Sequence, residues 1–359
     1  GIGDGGELGN HIDFGQRVIN QANGTYSSFG AHGDHVAGIV GASGALDTRH
    51  RGLASGAQII TQKTTQIIAN AEDYQDAYGM TLTNNSYGVS FNCINNGTYN
   101  YNSVNLDYVS RMNPKMLHVF AAGNNGTRSC EGFPAGYNTI LRNYQSSKNV
   151  ITVGAVGDNR EIANISARGP VADGRIKPEI VANGMNIVST GNDFNYFSNN
   201  GTSMAAPALT ATLALLSEQY EKIYSEKPDG ALLKALACNS ADDLGNVGPD
   251  YTYGFGMVNA RRAVETIVDG HHAQGMIENG NNSIHLIDVP SGVSEVKIML
   301  YWHDMEGTHL AERTLVNDLD LRVDDANQVN HLPWILNTAP SQVATPASKG
   351  VDVLNNIEQ

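Results

Sequence analysis

The chain has 359 residues, enough for two hydrophobic cores: one large domain plus a smaller one. Its 41% hydrophobic and 16% charged content describes a packed protein and excludes global disorder. A net charge of −14 and a pI near 5.1 exclude nucleic acid as a partner, because phosphate binding needs a Lys/Arg stripe. No run of about 18 apolar residues is present to span a membrane.

Gly1-Ile2-Gly3-Asp4 reads as a strand already under way, so the chain is expected to be a processed product of a precursor with a signal and pro-segment upstream. Next come strand candidates at 57–62 and 80–86, with a helix at 69–79 between them. A helix at 101–112 and strands at 115–122 and 149–156 follow. These strands are nearly continuous apolar runs, the pattern of a parallel sheet covered by helices on both faces. The longest helices are expected at 203–223, 228–238 and 258–268.

Past Gly270 the texture changes. Val296, Ile298 and Leu300 share one face, and Leu319, Leu321 and Val323 alternate with Asp320, Arg322 and Asp324. Period-two strands between Gly, Pro and Asn turns imply an antiparallel sandwich, jelly-roll-like. The expected division is therefore residues 1–268, an α/β domain, and 269–359, a β-sandwich read as incomplete because another strand is due where the chain stops.

Among the three cysteines, Cys238 sits in an apolar helical stretch and reads as a buried thiol. Cys93 and Cys130 lie in polar loops, where a disulfide or two free thiols are the open alternatives. A disulfide would favour an oxidising compartment. Asn-x-Ser/Thr sequons occur at Asn23, Asn84, Asn96, Asn125, Asn164, Asn200 and Asn281. Glycans at Asn125 or Asn200 would crowd the residues discussed next, so non-use of these sequons is the easier reading.

Three segments carry chemistry. Gly3-Asp4-Gly5-Gly6 puts a carboxylate at a strand end. His32-Gly33-Asp34-His35-Val36-Ala37-Gly38 opens a helix of small residues with a histidine. Asn200-Gly201-Thr202-Ser203-Met204-Ala205-Ala206-Pro207 places a serine at a helix start, where unpaired N–H groups and the positive dipole end suit a developing oxyanion. Ser203 as a mere helix cap is the competing reading of that segment alone. His32 and His35 are three apart and lack the His-Glu-x-x-His spacing of a zinc peptidase.

Taken in this order the segments resemble the subtilisin family, over roughly residues 1–268. The resemblance implies a secreted serine endopeptidase acting on polypeptides, with a catalytic triad of Asp4, His32 and Ser203. Phe120-Ala121-Ala122-Gly123-Asn124 is similar to the family's oxyanion-hole strand, which assigns Asn124 that role. Ser86, Tyr87 and Gly88 are similar to the segment that pairs with substrate backbone. The side-chain pocket is then walled by them and by Ala121, Ala122 and Gly123, with its floor in 126–146. A large apolar residue before the scissile bond is expected there. Tyr301-Trp302-His303-Asp304 and Leu315–Leu321 resemble the β-sandwich appended to some bacterial members.

The family's use of structural calcium makes Asp318 and Asp320 metal candidates, against the plainer view of a solvated strand face. No cofactor is needed for catalysis. Asp34 departs from the usual threonine of the histidine motif, and a second carboxylate there would raise the pKa of His32. Two other readings compete. An α/β-hydrolase needs Gly-x-Ser-x-Gly, but Ala205 fills the last position. An inactive scaffold whose β domain binds glycans or proteins would leave Asp4, His32, Asn124 and Ser203 without a purpose.

Overall fold

A computed structural model describes residues 1–5, 8–22 and 30–359; the Asn23 sequon and Gly6 lie outside them. In chain order the elements are β1 (Ile2–Asp4), β2 (Val18–Asn20), α1 (Gly30–Gly41), β3 (Ile59–Lys63), α2 (Gln66–Ala69), α3 (Ala71–Tyr78), β4 (Leu82–Asn85), α4 (Tyr101–Met112), β5 (Leu117–Ala121), β6 (Ile151–Val156) and β7 (Ile180–Asn183). The hairpin β8 (Ile187–Thr190) and β9 (Tyr196–Asn199) follows, then α5 (Thr202–Tyr224), α6 (Gly230–Asn239) and α7 (Ala260–Val268).

Strands β1–β7 form one parallel sheet in the order β2-β3-β1-β4-β5-β6-β7. Every residue of β6 is buried, as expected of a strand covered on both faces. From β1 the chain passes to the edge strand β2, returns inward through β3 and crosses to the other side of β1 at β4, from where it steps outward to β7. The strand order therefore reverses at the β1/β4 seam, and an open α/β sheet binds ligands outside the carboxyl ends of strands at such a switch point.

Helix α5, at 23 residues about 35 Å long, runs through the core. Ala205, Leu209, Leu213 and Leu216 share one apolar cluster with Val119, Val153 and Ile180 from three successive strands. On the far side, α1 packs Val36, Ala37 and Val40 with Met204 and Ala211 of α5. The two helices that carry His32 and Ser203 are thus packed on each other.

Beyond α7 the antiparallel pairing expected from the sequence is confined to three two-residue ladders. Leu300–Tyr301 pairs with Ile357–Glu358, Val323–Asp324 with Asn330–His331, and Trp334–Ile335 with Ser348–Lys349. These small antiparallel sheets are compatible with the expected sandwich; among the described residues 271–299 carry no helix or strand, and Ile284 and Leu286 are exposed. The ladders lie on the large domain. Val343 and Ile357 join its main core cluster, and Lys148 pairs with Asp304 where both side chains are 0% exposed.

Candidate active site

Asp4 ends β1 at the seam. The register Ile2↔Asn84, Gly3↔Asn85 puts the next residues outward, Asp4 and Ser86, side by side at the carboxyl edge. Both Asp4 carboxylate oxygens lie within reach of His32 Nδ1, at 3.0 and 2.9 Å, and Oδ1 also accepts the Gly5 N–H. A carboxylate only accepts, so the imidazole proton sits on Nδ1 and Nε2 keeps its lone pair. Burial pushes His32 down, but the hydrogen bond and charge of Asp4 outweigh it and hold the pKa above the ordinary 6.5.

That lift comes from the Asp4 carboxylate. Asp34 is buried and accepts the Gly9 N–H at 2.6 Å. His35 is also spent on structure. Its Nε2–H donates to Ile187 O and Phe197 O across the β8–β9 hairpin, and burial lowers its pKa to about 4.

Ser203 is the second residue of α5, entered through Gly201 at φ 148°. That backbone is open to glycine, and a Cβ there would stand 3.0 Å from the Asn124 amide nitrogen. Pro207 lacks an N–H, so the carbonyl four residues earlier, that of Ser203, is left without a helical donor. The Ser86 hydroxyl supplies one at 2.9 Å. In return Ser203 Oγ donates to Ser86 O at 3.3 Å. Nucleophile and strand edge are thereby laced together, and the serine hydroxyl faces the Ser86 carbonyl rather than the imidazole.

Asn124 follows β5 by three residues. Its carboxamide oxygen accepts both the Thr202 N–H and the Thr202 hydroxyl at 3.0 Å, which turns the exposed NH2 the other way, free to donate. The Thr202 hydroxyl also accepts the Gly123 N–H at 3.1 Å. An exposed amide donor and the N–H groups of the first turn of α5 are a suitable pair for a developing oxyanion.

Behind this edge lies a polar network that the apolar look of 80–86 concealed. Asn84, fully buried, donates to Ser86 Oγ and accepts from Thr210 Oγ1, so its sequon is a structural asparagine. Gln145 donates to both Tyr87 O and Ala121 O, at 2.8 and 3.2 Å. Leu141 N–H donates to Ala122 O at 3.2 Å. The spacing of residues carried no signal for Gln145 or Leu141. Pro207 did carry one for Ser86, since a proline one turn into a helix frees a carbonyl that needs a donor.

Cys93 and Cys130 form a disulfide with Cα atoms 5.4 Å apart, joining the loop after Gly88 to the loop after Asn124. Asp318 is engaged by Arg313 at 2.7 Å and Asp320 lies 3.9 Å from Arg322. Calcium takes six to eight oxygens, and no group of three or more His, Cys, Asp or Glu side chains fit to hold a metal gathers among the described residues. No described helix is long and apolar enough to cross a membrane.

A model of the subtilase family matches residues 9–256. The serine protease AprX of Bacillus subtilis is 29% identical, over 69% of this chain and 60% of its own length. Subtilisin DY of Bacillus licheniformis is 28% identical, over 74% of this chain and 90% of the relative. The minor extracellular protease Epr of Bacillus subtilis is 27% identical over 65% of this chain, which spans 33% of it. The chain thus spans about 60% or less of several curated relatives. Among solved structures, the prenylagaramide maturation protease PagA superposes with a TM-score of 0.59 at 22% identity, covering 74% of this chain and 92% of that one. The protease domain of PatA gives 0.58 at 22%, covering 75% and 94%. At such identity these two speak for the fold. The family match covers well over half of the sequence and includes His32, Asn124 and Ser203, so the chain belongs to the subtilase family.

Proposed function

We propose that the protein is a serine endopeptidase that hydrolyses polypeptides through an acyl-enzyme. The observation that carries this reading is the two-oxygen grip of Asp4 on His32 Nδ1, at the edge where Ser86 holds Ser203. A histidine so held keeps one tautomer and presents a basic nitrogen.

In this reading Ser203 Oγ turns from the Ser86 carbonyl toward His32, gives up its proton and attacks the peptide carbonyl. The oxyanion is met by the Asn124 amide and the Ser203 N–H. His32 then protonates the leaving amine, and water reverses the sequence to free the acid product. Substrate lies extended along Ser86, Tyr87 and Gly88, adding a strand to an edge. Secretion is part of the proposal: the Cys93–Cys130 disulfide is at home in an oxidising compartment, and two relatives' names carry the word extracellular. A pro-segment upstream accompanies it. Residues 269–359 serve as a buttress on the catalytic domain, since Asp304 neutralises its buried Lys148.

A fluorophosphonate probe tests the core of the proposal. Labelling should map to Ser203, disappear in Ser203→Ala, and compete with peptide hydrolysis. Intact folded protein that neither labels nor cleaves any polypeptide would refute it.

A further inference from the structure

The two segments that flank the attacked carbonyl approach each other at Gly88 and Gly123. A Cβ built on Gly88 would stand 2.4 Å from Leu141 Cδ1, and one built on Gly123 would stand 3.0 Å from the same methyl and 2.7 Å from Leu141 Cγ. One methyl group therefore fills the space toward which both glycines open. Leu141 is 8% exposed, and its own N–H is anchored on Ala122 O.

The walls are also tied. Gln145, fully buried, donates to Tyr87 O on one side and Ala121 O on the other, so the gap cannot widen without breaking two hydrogen bonds. Farther out, the Cys93–Cys130 disulfide joins the loops that continue from the same two segments. The Asn124 amide and the N-terminus of α5 fix where the reacting carbonyl sits. Its residue's side chain must then point at this gap, one residue from Asn124 and two from Ser86.

We infer that Leu141 is a specificity-determining residue that restricts the position before the scissile bond to glycine or alanine. This deepens the endopeptidase reading and rests on it, and it reverses the large apolar preference expected from the sequence. A leucine, phenylalanine or tyrosine side chain would have to occupy the volume that Leu141 holds, between walls that are clamped together.

The experiment uses peptides identical except for Gly, Ala, Leu or Phe before the cleaved bond, with enzyme concentration set by fluorophosphonate titration of Ser203. The alanine peptide should exceed the phenylalanine peptide in kcat/KM by at least about tenfold, because a single surplus methylene in a pocket is worth roughly 10–200-fold. Leu141→Ala should raise the phenylalanine peptide about tenfold or more relative to alanine. Leu141→Val, the smaller excavation, should move the ratio in the same direction by less, and it provides the readout if Leu141→Ala fails to fold. Titratable wild-type enzyme that cleaves after phenylalanine as well as after alanine overturns the role of Leu141 while leaving the endopeptidase reading intact. So does a folded variant with an unchanged ratio. Wild-type protein that neither titrates nor cleaves removes both together.

Discussion

Asp304→Ala should loosen the attachment of the C-terminal stretch and cost a large part of the stability of the whole chain. Asp304 Oδ2 accepts from Lys148 Nζ at 2.5 Å and from Val316 N–H, and Oδ1 accepts from Asn317 N–H and Nδ2. Neither Lys148 nor Asp304 has any exposed side-chain surface. Removing one partner of such a pair strands the other charge in the interior, which costs about 3–5 kcal/mol. With an unfolding entropy of about 2.1 cal/mol/K per residue over 359 residues, that lowers Tm by roughly 4–7 °C.

The cost has a sign in pH. Burial already lowers the pKa of Lys148 from 10.5, with Asp107 and Asp304 opposing the shift, so removing Asp304 lowers it further. Between that folded value and 10.5 the unfolded chain binds the extra proton, so stability rises with pH and the deficit against the parent narrows toward pH 10. Urea unfolding at several pH values, in a Ser203→Ala background that prevents self-digestion, measures both effects. A loss below about 1 kcal/mol at neutral pH, with no narrowing at alkaline pH, would show that the Lys148–Asp304 contact does not secure the C-terminal stretch.

The acid limb of kcat/KM should lie above the ordinary histidine value of 6.5, because Asp4 raises His32 and the base must be neutral to act. The same raised pKa contributes stability that is complete below 6.5 and fades as pH rises through the folded value. In Asp4→Asn the limb should move down, with kcat falling about 10⁴-fold, the loss known for acid-to-amide changes in such triads; an unmoved limb would remove Asp4 from the site. Asn124→Ala should keep KM near its parent value and lose about 10²–10³ in kcat, as for this donor in subtilisin. Thr202→Val, which strips one of the two hydrogen bonds that aim Asn124, should lower kcat by a smaller factor at unchanged KM; parity with the parent enzyme would show that the aim is set elsewhere. Replacing Cys93 and Cys130 together by serine should cost about 3–4 kcal/mol by denaturant unfolding, the loop entropy for a separation of 37 residues; equal midpoints would show that the link constrains nothing.

The parts of this molecule that were legible in its sequence are those whose cause is local. Helix α4 spans the residues expected of it because Asn100 and Ser103 build a capping box within four residues of each other. Strand β6 was visible as a nearly unbroken apolar run because both of its faces are covered. Ser203 could be placed at a helix start because Gly201 and Pro207 bracket it. By contrast, β2, β7 and the β8–β9 hairpin were not expected. Val18–Asn20 sits on the sheet edge with little of its surface buried, and the hairpin is held by His35, a contact across more than 150 residues. Past Gly270 the alternation of Val296, Ile298 and Leu300 reads as one face of a sandwich, yet only Leu300 enters a ladder, because a strand pattern cannot name its partner.

The same distinction separates the chemistry of the site from its selectivity. A nucleophile needs a turn, a helix N-terminus and a freed carbonyl, all encoded within eight residues from Asn200 to Pro207, and the motif carries them wherever it occurs. The width of the cleft is set by residues with no motif. Gly88, Gly123 and Leu141 come from three different segments, and the methyl that lies between the two glycines belongs to a loop whose sequence looks featureless. Gln145 closes the arrangement by bonding both walls at once, a role that any buried amide of that reach would fill. Reaction type therefore follows from a few short motifs that the fold brings together, whereas substrate choice follows from which distant side chain happens to fill a gap between two backbones. That is why a single substitution at Leu141 should change what is cut while leaving how it is cut untouched.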